Sequence, residues 1–156
     1  MSHVEKAVGT ISDDPKLLEC IEKALLANFP KAHLLKGKKT YNWYGRHVGD
    51  HPLPEGFKAD ELGVCEHAIS LDGCGYEVGI VKSKKGKGYS LLFDFWGTGQ
   101  KLRESFGAGC EKLTDSINVE VMKAKAKRAG YEFTTKKLDS GATVLTVNQN
   151  VGAGGF

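Results

Sequence analysis

His47, His51, Cys65 and His67 are residue types that can hold a metal, and they stand in an H-x3-H-x13-C-x-H array. Imidazole nitrogens and a thiolate are the ligands of tetrahedral zinc, so zinc is the one cofactor these residues suggest. The spacing is not that of a compact zinc finger, and Pro52 and Pro54 separate the two pairs. The competing reading is a polar loop with two histidines beside a half-buried cysteine. Cys65 and His67 also form a nucleophile–base pair in principle, because residues two apart on an extended strand share a face. No carboxylate stands where it would orient that histidine. Asp60, Glu61 and Asp94 have no recognisable acid–base spacing.

Gly97 and Gly99 follow a strand pattern and precede a helical one, where a dinucleotide fingerprint would begin. The third glycine would fall at 102, where Leu102 stands. Gly86-Lys87-Gly88 lacks the upstream glycine and the following hydroxyl residue of a phosphate loop.

A second chemistry is recognition by cations and aromatics together. Lys36, Lys38 and Lys39 run into Tyr41, Trp43, Tyr44 and Arg46, and Lys82, Lys84, Lys85 and Lys87 crowd one short segment. Such a set suits single-stranded nucleic acid, through phosphate contacts and base stacking. Lysines at hairpin tips also serve simply to keep sheets soluble. Those in the run Lys123, Lys125, Lys127 and Arg128 complement a helix C-terminus.

The elements that must position these residues follow from periodicity. Val4 to Ile11 reads as a strand. Ser12, Asp13 and Asp14 offer an N-cap choice and Pro15 fits the first turn of a helix over about 15–28, whose apolar stripe is Leu17, Leu18, Ile21, Ala24, Leu25 and Phe29, and Pro30 closes it. Ala32 to Leu35 is a short strand, and Thr40 to Tyr44 has strong β propensity. The stretch 43–66 reads as one long loop, of the kind that carries recognition. Ala68 to Leu71 is a strand. Tyr76–Val81 and Tyr89–Trp96 form an antiparallel hairpin. Lys101 to Phe106 is one helical turn or two. Cys110, Leu113, Ile117, Val121 and Ala124 predict a long helix ending at Gly130. Tyr131–Leu138 and Ala142–Val147 flank a turn at Asp139-Ser140-Gly141. The expected architecture is α+β: an antiparallel sheet of about six strands with two amphipathic helices on one face, as a single domain over 1–148. A flexible glycine-rich tail is expected over 149–156.

Composition bounds the rest. Of 156 residues, 40% are hydrophobic and 26% charged, which is ordinary for a globular chain. A net charge of +3 is too mild to imply nucleic acid by itself. No apolar run reaches the roughly 18 residues of a membrane span. Cys20, Cys65, Cys74 and Cys110 are scattered and read as thiols, Cys20 and Cys110 as small core side chains. The 20 glycines fall mostly at turns and element ends, with Gly45, Gly49, Gly56 and Gly63 punctuating the long loop.

The order of motifs has a counterpart. Met1-Ser2-His3 opens the chain. Gly75-Tyr76-Glu77-Val78 precedes Leu91-Leu92-Phe93-Asp94, and Tyr131-Glu132-Phe133 is followed by Val144-Leu145-Thr146-Val147. Over about residues 1 to 148 this resembles the domain-of-unknown-function family 1257, found in plastids, cyanobacteria and bacteriophages. Asp139-Ser140-Gly141 departs from that family's simple Asp-Gly turn, and the loop from Tyr41 to His67 is longer than its usual one. The resemblance implies a small cytoplasmic α+β protein, with a bacteriophage source among those it allows. It implies no chemistry.

The expected function is therefore a non-enzymatic accessory protein that binds a protein partner through Tyr41, Trp43, Tyr44 and Arg46. The alternatives are a nucleic-acid module using Lys36, Lys38, Lys39, Lys82, Lys84, Lys85 and Lys87, and a metal-dependent enzyme at His47, His51, Cys65 and His67. No membrane partner is expected.

Overall fold

Alternation of side chains across the strands gives the central sheet two apolar faces, and the chain covers each differently. The computed structural model describes residues 2–139 and 143–149. Strands β1 (Val4–Lys6), β2 (Ala32–Leu35), β3 (His67–Leu71), β4 (Val78–Lys82) and β5 (Tyr89–Asp94) form one antiparallel sheet in the order β1-β5-β4-β3-β2. Ile69, Val78, Ile80, Leu91 and Phe93 point to one face, and Ala68, Gly79, Val81 and Leu92 to the other.

The first face is covered by helices α1 (Leu17–Asn28), α2 (Gln100–Phe106) and α3 (Glu111–Arg128). Helix α1 buries Leu17, Cys20, Ile21, Ala24 and Leu25, and α3 buries Leu113, Ile117 and Val121, as their periodicity predicts. Each such side chain stabilises the fold by roughly 2 kcal/mol. The helix begins at Leu17 with Lys16 at its N-cap and no side-chain cap, so none of Ser12, Asp13 and Asp14 caps it; Asp14 instead accepts the Lys16 backbone N–H at 2.8 Å just ahead of the helix. The short segment over Lys101 to Phe106 and the long helix after Cys110 are separate helices, as their glycine interruption predicts. Gly107, at a φ of 97°, and Cys110, at a φ of 56°, turn the chain between α2 and α3. Cys20 and Cys110 are buried free thiols, as read from the sequence.

The second face is covered by the long loop, which is a layer of the fold and not an open excursion. Tyr41, Phe57, Leu62 and Cys65 are buried with Val4, Ala68, Val81 and Leu92, and Trp43 packs at the margin. The loop is closed at its base. Thr40 bridges Val64, the Tyr41 N–H donates to the Gly63 carbonyl at 3.0 Å, and the Cys65 N–H donates to Lys39 at 2.8 Å. Thr40 to Tyr44 is consequently not a strand of the sheet. Gly79 exists for this layer, because a Cβ there would run into the Tyr41 ring.

The single sheet of about six strands becomes five strands plus a separate ribbon. Strands β6 (Tyr131–Lys137) and β7 (Thr143–Gln149) pair only with each other among the described residues and lie against α3. Asn148 and Gln149 belong to β7 and not to a tail. The predicted turn residues Ser140 and Gly141, strand residue Ala142 and the tail from Asn150 onward lie outside the described residues. No helix among the described residues is long and apolar enough to cross a membrane.

Candidate functional site

Strand β1 is an edge strand, and its free side is covered by the first half of the long loop. The Val48 N–H donates to the Ser2 carbonyl at 2.7 Å, which brings 47–54 alongside residues 2–6. Glu5 is opposite Phe93 in the β1–β5 register, and His3, two residues earlier, shares its face. The His3 ring meets Phe95 edge-on with centroids 5.2 Å apart.

Three histidines gather there. His3 and His51 stack with ring centroids 3.7 Å apart and an interplanar angle of 21°. Their Nε2 atoms lie 3.1 and 3.2 Å from the same oxygen, Oε1 of Glu5. His47 lies edge-on to His3, with centroids 6.0 Å apart. Its Nε2 is 2.6 Å from the His51 carbonyl oxygen, and its Nδ1 is buried with no hydrogen-bond partner.

Asp94 ends β5 on the opposite face and is fully buried. Its carboxylate accepts the Trp96 N–H at 3.0 Å on one oxygen and the Tyr44 N–H at 3.4 Å on the other. Burial pushes its pKa above the usual carboxylate range, while those two N–H donors and the Ser2 hydroxyl pull it back. One buried carboxylate thus ties together the backbones of two exposed aromatics: Tyr44 is 53% and Trp96 49% exposed. Arg46 is exposed on the same loop.

The structure redistributes the residues singled out by sequence. The metal set does not assemble. His47 and His51 come together, but Cys65 is buried under the loop layer with its thiol directed to the Lys38 carbonyl at 3.2 Å. His67 Nδ1 accepts the Gly37 N–H at 2.8 Å. Among the described residues, the group of three or more His, Cys, Asp or Glu whose ligand atoms converge is His3, Glu5 and His51. Cys65 is also no activated nucleophile, because burial pushes its pKa up to about 11. Burial lowers the His67 pKa as well.

Most of the candidate lysines are engaged by carboxylates. Lys36 pairs with Glu22 at 2.6 Å, Lys38 with Glu77 at 2.5 Å, Lys39 with Glu66 at 3.4 Å, Lys85 with Glu55 at 2.5 Å, and Lys84 with Glu61. Lys82 and Lys87 form no ion pair with a described residue. The lysine blocks are therefore largely neutralised in place, which removes much of the field that phosphates would feel.

Of the four loop residues expected to meet a partner, Tyr41 is core, at 2% exposure, and Trp43 is half-buried. Tyr44 and Arg46 are on the surface. His3, Glu5, Asp94 and Trp96 were not singled out as site residues. The pair His3 and Glu5 had a legible signal in its i, i+2 spacing on a strand. Compared with family models, curated proteins and solved structures, the chain matches none.

Proposed function

We propose that the protein is a non-enzymatic binding protein that captures a partner protein through Tyr44, Arg46 and Trp96. The observation that carries this reading is the shared anchorage of Tyr44 and Trp96 on the buried Asp94 carboxylate. Tyr, Trp and Arg are the residue types that concentrate binding energy at interfaces. A partner pays least entropy when such side chains are presented from a backbone already fixed. Here two hydrogen bonds to the buried Asp94 carboxylate do the fixing, and neither ring is used to fill the core.

The test compares tagged wild type with Tyr44→Ala and Trp96→Ala in a pull-down from host lysate, the bound species being read by mass spectrometry. Each variant is expected to lose the specific partner, since truncating a hot spot costs about 2 kcal/mol or more, roughly a thirtyfold loss of affinity. Their melting temperatures are expected to move by about 2 °C or less. Tyr131→Ala, on the separate ribbon, is expected to retain capture. Identical capture by all three variants, or no specific capture by wild type, overturns the reading.

A further inference from the structure

We propose that His3, Glu5 and His51 form a binding site for one divalent transition-metal ion of the zinc type. The donor set is two imidazole nitrogens and one carboxylate. That combination suits zinc, cobalt and iron(II), whereas calcium and magnesium take oxygen ligands.

The spacing supports it. Bonds of 2.0–2.2 Å in a tetrahedral shell set neighbouring donor atoms about 3.3–3.4 Å apart. The Nε2 atoms of His3 and His51 already lie 3.1 and 3.2 Å from Glu5 Oε1. An ion held by all three requires only small changes in the distances to Glu5, together with rotation of one imidazole out of the stack so that both in-plane lone pairs meet at the ion. It also requires each neutral ring to carry its proton on Nδ1, so that Nε2 offers its lone pair.

The scaffold holds the ligands from two directions. His3 and Glu5 project from one face of β1, whose register is fixed by Val4 opposite Asp94 and Glu5 opposite Phe93. Phe95 supports the His3 ring from its edge. His51 is delivered by the loop that Val48 clips to Ser2. His47 buttresses the His51 backbone through its Nε2. Three protein ligands leave a fourth position in a tetrahedral shell. The His51 side chain is 44% exposed, so that position opens to solvent and the ion has a way in.

The inference does not depend on partner capture, because neither Tyr44 nor Trp96 supplies a ligand.

The experiment uses untagged full-length protein stripped of metal with a chelator. It is titrated calorimetrically with zinc, and with cobalt(II) as a spectroscopic probe of coordination. One equivalent of zinc is expected to bind, and cobalt is expected to develop the intense visible bands of a tetrahedral site. His51→Gln and Glu5→Gln are each expected to weaken zinc binding by about tenfold or more, since even the loss of indirect ligand support costs that much. His33→Gln is the control, because His33 is exposed and engaged with Asp72 at 2.9 Å. Far-UV circular dichroism checks that the variants fold, and the exposed His51 can be replaced without opening the core. Zinc binding no tighter than about 1 mM, or binding that His51→Gln and Glu5→Gln leave unchanged, overturns the proposal.

Discussion

Replacing Gly79 by valine is expected to lower the melting temperature by about 10 °C and to release the loop layer from the sheet. Gly79 sits in the middle of β4, between Leu92 of β5 and Ala68 of β3, so its backbone is held on both sides. The Tyr41 ring lies directly on it. Tyr41 has little room to retreat, because its own N–H is bound to the Gly63 carbonyl and Trp43 closes against Gly63, where a Cβ would come within 2.7 Å of the indole nitrogen. The valine side chain must therefore displace the ring. Overpacking costs about 1–3 kcal/mol and the lost burial of an aromatic a further ~2 kcal/mol. For a domain of this size that sum corresponds to the stated shift, read by a calorimetric or circular dichroism melt. Tyr41→Ala in the Gly79→Val background is expected to cost much less than Tyr41→Ala alone, since the two changes act on one contact. Tyr41→Phe is expected to be neutral or stabilising, because the hydroxyl is buried without a partner. The same burial pushes its pKa up to about 12. An unchanged melt for Gly79→Val would show that the loop does not depend on this contact.

The second large effect concerns the staple between two helices, and it depends on pH. Asp14 precedes α1, its side chain is fully buried, and both of its carboxylate oxygens meet the Arg128 guanidinium at the end of α3. Asp14→Asn is expected to lower the melting temperature by several degrees at neutral pH, because it leaves the guanidinium facing an amide. The hydrogen bond from Arg128 holds the Asp14 pKa below the usual carboxylate value, opposed by burial and aided by the Lys16 N–H. A carboxylate with a depressed folded pKa stabilises the fold above its unfolded pKa of roughly 4, and that contribution is lost as pH falls through the folded value. The wild-type and Asp14→Asn melting temperatures are therefore expected to converge as the pH is lowered below that range. A constant difference across the whole pH range would mean that Asp14 acts by shape alone.

Much of this architecture was legible from periodicity. The stripes of α1 and α3 repeat every three or four residues, and β4 and β5 carry enough apolar side chains to declare a hairpin. Periodicity names the elements but not the edges at which they meet. Tyr131 to Gln149 was therefore readable as a hairpin, but not as a ribbon apart from the main sheet. The loop layer left no periodic trace. Tyr41, Phe57, Leu62 and Cys65 each come from irregular backbone, so their common destination is a tertiary fact. Tyr41, Trp43 and Tyr44 look equivalent in sequence, and only the position of Gly79 and Asp94 separates a core ring from a surface one.

The candidate site divides in the same way. His3 and Glu5 are brought together by strand alternation, which is local. His51 joins them because a loop is clipped to an edge strand, which no spacing expresses. The zinc reading failed for the complementary reason. Cys65 and His67 are near His51 in sequence, but Cys65 is turned inward to the loop core and His67 is bound to the Lys36–Gly37 turn. The pairing of the charge blocks is not legible in sequence because partners such as Glu22 for Lys36 lie on other elements.

The pairing of β1 with β5 has a consequence in time. Strands β2 to β5 form a meander whose neighbours are also neighbours in sequence, so their loops close early. The three-residue β1 must instead wait for the far edge of that meander, where Val4 meets Asp94. His3 and Glu5 precede β5 by about ninety residues in the chain, yet they gain their register only once β5 has formed. The cluster they form with His51 thus depends on the longest-range strand pairing in the sheet.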